Sequence, residues 1–168
     1  MSSTSENPLS ALRPMTAAEY AEWVEQSITG YAADKVASGQ WTAEESLALS
    51  RKENAELLPL GLETPGNHLF TVVDSQAVAV GMLWFAVKKK FGADIAYVFD
   101  VGIHPERQRE GHAARAFLAL EDEVRRLGLS GIALHVFGHN DAARALYAKL
   151  GFRPTNISLF KLIEPTRA

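Results

Sequence analysis

A chain of 168 residues is long enough for one hydrophobic core of ordinary size and leaves little room for a second. Hydrophobic residues make up 47% of the chain and charged residues 22%, which is typical of a globular protein and excludes a disordered or fibrous one. A formal net charge of −3 offers no general attraction for nucleic acid, and the absence of cysteine excludes disulfides, thiolate zinc sites and a covalent thioester on a side chain.

The N-terminal part of the chain predicts a disordered tail over residues 1–8 and an edge strand over residues 9–13. Thr16 and Thr42 each precede a glutamate by three residues, which is the spacing of a capping box. Because apolar residues follow at helical intervals, we expect two helices that begin at these threonines and end near residues 38 and 58. No apolar run approaches the ~20 residues of a membrane-spanning helix, so we expect a cytoplasmic protein without membrane contact.

The middle of the chain carries runs of β-branched and aromatic residues that are typical of strands. Residues 69–73 and 77–87 are separated by the turn residues 74–76, which predicts a β-hairpin. Both alternating sets of the second run are apolar, so we expect that strand to be covered on both faces. A third strand is expected over residues 95–103, ending before Pro105.

The C-terminal part alternates helices and strands. An apolar stripe over residues 111–127 predicts an amphipathic helix. A strand over residues 132–137, a short helix starting at Asn140 and a last strand over residues 157–163 are expected to follow. We therefore expect residues 9–168 to form a single α/β domain, a mixed sheet with helices on both faces.

The stretch between residues 100 and 114 runs from a strand through a polar loop into a helix. The first amides of a helix have no intrahelical acceptor, and together with the helix dipole they favour phosphate groups. Gly111 would let such a group come close to the backbone. The alternative is an ordinary strand-to-helix connection with a charged loop.

Two short motifs in this part of the chain match one known superfamily. Residues 108–113 (Gln-Arg-Glu-Gly-His-Ala) fit the pattern Gln/Arg-x-x-Gly-x-Gly/Ala, and residues 140–152 fit Asn-x-x-Ala-x-x-Leu-Tyr-x-x-x-Gly-Phe. On these residues the chain resembles the GNAT superfamily, which has both motifs on the same elements; the resemblance spans residues 13–162. Many members carry glycine where this chain has Arg109 and Ala113. Alanine is tolerated there, and Arg109 either adds a charge near the phosphates or points to solvent.

The resemblance implies an N-acetyltransferase that moves an acetyl group from acetyl-CoA directly to a primary amine in a ternary complex. It also implies antiparallel N-terminal strands and a splayed parallel pair of strands. Direct transfer agrees with the absence of cysteine and of a Gly-x-Ser-x-Gly elbow. Asn140 would contact the cofactor, although its position at a helix start explains it equally well. The implied cofactor-binding residues are Val101, Ile103, Gln108, Arg109, Gly111, His112, Ala113 and Asn140.

Two residues are implied in catalysis by the same resemblance. The phenol of Tyr147, with an ordinary pKa near 10, would donate a proton to the departing thiolate. Asp100 would accept a proton from the amine or orient it. The alternatives are a packing role for Tyr147 and, for Asp100, an ion pair with a loop arginine such as Arg107. We interpret four aromatic residues of the central strands first as core residues: Trp84, Phe85, Tyr97 and Phe99. In the alternative, one of them lines the acceptor pocket.

Two other classes of function stay open. One is a non-catalytic acyl-CoA-binding or regulatory domain, which need not keep Tyr147. The other is a partner-binding protein that exposes Trp23, Tyr31 and Trp41 on its first helices. We expect a small-molecule or peptide amine as the acceptor, no metal and no nucleic acid as partners, and the sequence is compatible with a homodimer. No motif identifies the acceptor.

Overall fold

The computed structural model describes residues 10–166. The predicted tail over residues 1–8, and residue 9 of the predicted edge strand, lie outside that range. The chain divides into two compact units, one reaching to His135 and the other starting at Val136.

The first unit is built on a sheet whose spatial strand order is the order in the sequence. The first four strands pair antiparallel, and the fourth and fifth pair in parallel. This arrangement confirms the predicted mixed α/β sheet. Within residues 10–166 the strands are β1 (Ser10–Pro14), β2 (Asn67–Asp74), β3 (Ala79–Lys90), β4 (Ala93–Ile103) and β5 (Ile132–Leu134).

The helices begin where their capping residues predict. Thr16 and Thr42 each accept a hydrogen bond from the amide three residues on, and the glutamate there binds back to the threonine amide, so both capping boxes are formed. The helices of the described residues are α1 (Ala17–Ala37), α2 (Ala43–Leu57), α3 (His112–Arg126) and α4 (Asp141–Lys149). Among them, none has the combination of length and apolar character that a bilayer span requires.

The core of the first unit lies on both faces of the sheet. Trp84 and Phe85 are neighbours on β3 and point to opposite faces because strand side chains alternate. Trp84 packs against Trp23 of α1, with ring centroids 5.7 Å apart. Phe85 is fully buried and stacks on His68 at 4.7 Å, on the face where α3 contacts β1, β2 and β4. The predictions of helices on both faces and of a doubly covered β3 are therefore confirmed.

The predicted last strand is wrong. Residues 153–166, in the second unit, contain no helix or strand, and their apolar side chains are exposed, Leu159 at 92%. A strand needs a neighbouring strand to pair its backbone groups, which apolar spacing in the sequence does not supply. The strand predicted over residues 132–137 is also shorter than expected, since β5 ends at Leu134.

Candidate active site

A β-bulge in β4 sets the direction of the first candidate catalytic residue. Trp84 pairs with Asp100, but its neighbour Phe85 pairs with Val98, so Phe99 is an extra residue on β4. A bulge re-aims side chains and is common beside active sites. Here Phe99 stacks on Trp84 with centroids 4.6 Å apart, and Asp100 also points to the face covered by α1.

The carboxyl of Asp100 is held by two hydrogen bonds on this face. Trp23 Nε1 donates to Asp100 Oδ2 at 3.2 Å, and the backbone amide of Val101 donates to the same carboxyl. Burial raises the pKa of Asp100 because the charged form loses water, and the two hydrogen bonds oppose that rise. A carboxyl with a raised pKa is a stronger base than an ordinary one, which suits a residue that accepts a proton.

The surroundings of Asp100 are aromatic. Tyr97 and Phe99 are half-buried on β4, and their rings meet edge to face at 5.1 Å. The ammonium of Lys88 lies 4.9 Å and 4.7 Å from the two ring centroids. Trp84, at 4% exposure, is core as predicted, whereas Tyr97 and Phe99 present part of their rings to the surface beside Asp100.

The polar loop predicted to bind an anion ends at Gly111, the N-cap of α3. Gly111 has a φ of +84°, in the left-handed region where glycine carries no steric penalty. A Cβ built there would lie 2.7 Å from Arg115 Nη1, so a side chain at this position would displace the guanidinium that lies over Gly111. Arg109 has a φ of +64°, also left-handed, although it is not glycine, and its side chain is exposed.

Ion pairs fix this loop to the rest of the first unit. Arg107 Nη2 donates to Asp74 Oδ2 at 3.0 Å, and Arg107 Nε donates to Glu110 at 3.2 Å. The alternative of an Arg107–Asp100 pair is therefore wrong, since Arg107 contacts the turn between β2 and β3 instead. The ring of His112 is buried at 5% exposure, with Arg107 Nη2 3.4 Å from its Nε2.

Two arginines line an open cavity of about 290 Å³ at the start of α3. Arg107 lies before the helix, and Arg115 lies in its first turn, where Nη2 donates to the carbonyl of Glu110 at 2.6 Å. Guanidinium groups beside the N-terminus of a helix are suited to phosphate oxygens. Sequence reasoning missed Arg115, although its position four residues after Gly111 places it on the same helix face and could have indicated it. The other lining residues are Asp74, Ser75, Gln76, Glu110 and His112.

The parallel pairing stops before the candidate cofactor residues Val101 and Ile103, because β5 ends at Leu134. β4 pairs with β5 only from Ala96 to Val98 and continues to Ile103 paired with β3 alone. The side chain of Gln108 donates to the carbonyl of Ile103 at 3.1 Å, which ties the loop to the strand end. A separated strand edge of this kind leaves room for backbone groups of a ligand.

The remaining candidates lie in the second unit. Asn140 caps α4, its Oδ1 accepting from the amide of Ala143 at 3.2 Å. Tyr147 is half-buried on α4 and packs edge to face on Phe152 at 5.6 Å. In the first unit, Asp100 lies near the end of β4 on the face covered by α1, and the loop residues follow the same strand in the sequence. The catalytic roles of Asp100 and Tyr147 stay predictions. Nowhere in residues 10–166 do three or more His, Cys, Asp or Glu side chains form a group that could hold a metal ion.

Comparison with known proteins gives consistent results. Residues 28–152 match the model of the Acetyltransferase (GNAT) family. Over 150 residues the chain is 34% identical to the uncharacterized N-acetyltransferase YycN of Bacillus subtilis (strain 168), covering 89% of this chain and 96% of YycN. The crystal structure of YycN has a TM-score of 0.86 at 33% identity, over 93% of this chain and 99% of that one.

A more distant neighbour shares the fold. AAC(6')-Iy, solved in complex with the bisubstrate analogue CoA-S-monomethyl-acetylneamine, has a TM-score of 0.57 at 16% identity, over 93% of this chain and 99% of that one. The family match covers most of the chain, and the similarity to YycN extends over nearly all of both proteins. This chain therefore belongs to the GNAT family and is an acyltransferase of the N-acetyltransferase type.

Proposed function

We propose that this protein transfers an acetyl group from acetyl-CoA directly to a primary amine while both substrates are bound. One observation carries the proposal: a single stretch, residues 100–113, contains both a carboxyl whose pKa is raised by burial and the glycine-capped start of α3. A candidate base and a phosphate-binding loop are therefore held by the same strand and turn. Both substrates of an acetyl transfer can meet there.

On the donor side, the proposal assigns the pyrophosphate to the first amides of α3. The loop residues would contact the phosphates, and the separated end of β4 would pair with the pantetheine arm. The residues present fit such a group, because Gly111 adds no side chain at the helix start and Arg115 lies beside it, while the charge of Arg107 is shared with Asp74 and Glu110. The CoA-containing analogue bound to AAC(6')-Iy, which has the same fold, supports the assignment. Gln108, Arg109, His112, Ala113 and Asn140 complete the proposed set.

On the acceptor side, Asp100 would accept the proton that the attacking amine loses, directly or through a water. The nitrogen forms a bond to the acetyl carbonyl carbon, and the bond from that carbon to sulfur breaks. Tyr147 would donate a proton to the leaving thiolate, so that one proton passes from the amine side to the sulfur side overall. With no cysteine in the chain, the acetyl group has no thiol on which to rest between the two substrates.

The rival classes of function make different predictions. A partner-binding surface that exposes Trp23, Tyr31 and Trp41 is disfavoured at Trp23, which is only 9% exposed and belongs to the core beneath α1, whereas Tyr31 is 39% exposed. A non-catalytic CoA-binding domain would bind the cofactor without turning it over. One experiment separates cofactor binding without turnover from cofactor binding with turnover.

The test combines calorimetry with a thiol-release assay. CoA and acetyl-CoA should bind with similar affinity, because the loop and the strand end would contact parts that both ligands share. A panel of primary amines with acetyl-CoA should then release free thiol for at least one acceptor class. Binding without turnover across the panel would support the non-catalytic alternative, and no heat with either ligand at millimolar concentration would remove the proposal.

A further inference from the structure

The hydrogen bond between Trp23 and Asp100 joins two residues that are 77 positions apart in the sequence. Trp23 lies on α1 and Asp100 on β4, so the contact depends on how the helix packs on the sheet. Among the residues that hold the candidate base, Trp23 is the one contributed by another element. The resemblance to GNAT proteins did not point to it.

The indole of Trp23 is held in one orientation by its neighbours. Its ring packs edge to face on Trp84 at 5.7 Å and lies against Tyr20 at 5.8 Å, and only 9% of the residue is exposed. An indole N–H is a donor that cannot accept and cannot ionise near neutral pH. The indole therefore stays a donor throughout the titration of the carboxyl, and it favours the ionised form of the carboxyl over the protonated one.

We propose that Trp23 is a positioning residue for acetyl transfer, whose indole N–H fixes the direction of the Asp100 carboxylate and favours its ionised state. The inference rests on the proposed function, in which Asp100 accepts the proton of the amine. It adds a residue on α1 to a site otherwise supplied by β4 and the loop that follows it.

The other polar groups around the pair leave Trp23 as the main partner from outside β4. From α1, Tyr20 faces the indole, and burial raises the pKa of its phenol, so it is uncharged at neutral pH. From β3, the ammonium of Lys88 lies over Tyr97 and Phe99. Besides burial, the groups that act on the Asp100 carboxyl are the Trp23 indole and the Val101 amide. Removing the indole N–H removes one of these two hydrogen bonds.

The experiment compares two tryptophan-to-phenylalanine variants in the same aromatic cluster. Trp23→Phe keeps a ring in the core and deletes the donor to Asp100. Trp84→Phe is the matched control, because Trp84 is also buried and donates its N–H to Asn67 Oδ1 at 2.9 Å, a side chain that does not ionise. Both variants lose similar packing volume, so they should lose similar stability.

The readouts are the titration of the Asp100 carboxyl carbon by NMR and the pH profile of kcat/KM. In Trp23→Phe the carboxyl should titrate at higher pH than in the parent, and kcat/KM at a pH on the acid side of the profile should fall about 10-fold more than in Trp84→Phe. In Trp84→Phe, which keeps the donor to Asp100 but loses part of the ring that packs on Trp23, the titration of the carboxyl should shift less than in Trp23→Phe. Asp100→Asn should abolish the difference between the two tryptophan variants.

The outcomes are distinguishable from a failure of the proposed function. An unchanged carboxyl titration in folded Trp23→Phe would overturn the positioning role, whatever the activity. A shifted titration with an unshifted rate profile would overturn it too and remove Asp100 as the base, while acetyl transfer itself would stand. If Trp23→Phe does not fold, the same test can be made on the parent protein. The chain has 3 tryptophans, so its NMR spectrum has few indole N–H signals to assign. The chemical shift of the Trp23 indole proton must then change with pH as the Asp100 carboxyl titrates.

Discussion

The left-handed backbone at the start of α3 gives the sharpest test of the phosphate loop. Gly111 and Gly128 lie before and after the same helix, with φ values of +84° and +70°. Replacing either by alanine should cost about 1–2 kcal/mol of unfolding free energy, because an L side chain is strained in that region. At Gly128 a Cβ meets nothing within 4 Å, whereas at Gly111 it meets Arg115 Nη1 at 2.7 Å.

Only the Gly111→Ala variant should therefore weaken the binding of CoA. The methyl group displaces the Arg115 guanidinium and occupies the space above the first amides, so we expect CoA to bind at least ~10-fold more weakly, equivalent to about 1.4 kcal/mol. Urea unfolding measures the stability of both variants, and calorimetry measures CoA affinity. Gly128→Ala should bind CoA like the parent. If folded Gly111→Ala binds CoA as tightly as the parent, the loop only connects β4 to α3 and does not bind the phosphates.

Three further substitutions test single residues. Tyr147→Phe keeps the ring on Phe152 and should lower kcat by ~10²-fold with CoA affinity unchanged; full kcat would assign Tyr147 to packing alone. Arg109→Gly relieves the strain of a φ of +64° and should raise the free energy of unfolding, measured with urea, by about 0.5–1 kcal/mol. Weaker CoA binding by this variant would show that Arg109 contacts a phosphate, and unchanged binding would show that its side chain points to solvent. Asp100→Asn should lower the rate at pH values above the pKa of the parent carboxyl, where that carboxyl is ionised and can accept a proton, and the two rates should converge at low pH. A parental rate profile would remove Asp100 from the mechanism.

The parts of the fold that local chemistry determines could be predicted from the sequence. The capping boxes at Thr16 and Thr42 start both helices as expected. The turn at Asp74 forms because its Oδ1 accepts from the amides of Gln76 and Val78. The left-handed start of α3 follows from Gly111. Each of these features depends on residues within a few positions of one another.

Features that depend on packing between distant elements could not be predicted in this way. Nothing in the sequence near Phe99 indicates a bulge, because the extra residue is defined by pairing with β3. The partner of Arg107 is Asp74, 33 positions away, which the sequence does not distinguish from Asp100. Trp23 reads as a helix core residue by its spacing, and its polar contact appears only when α1 is packed on the sheet.

The burial of Asp100 has a thermodynamic consequence that links the candidate site to stability. Burial raises the pKa of this carboxyl above its ordinary value of 3.8, so folding favours the protonated form. The contribution of Asp100 to stability is therefore fully present below about pH 4 and is lost as pH rises through the folded-state pKa. Asn at this position is neutral at every pH and can still accept from Trp23.

The Asp100→Asn variant should then match the parent in stability at low pH and exceed it at neutral pH. Urea unfolding across this range measures the difference, and a parent that stays as stable as Asp100→Asn at neutral pH would contradict the raised pKa. A residue that served only the fold would gain nothing from retaining the carboxyl. If the variant is more stable and less active, the destabilising carboxylate is retained for its chemistry, as expected of a base in an enzyme site.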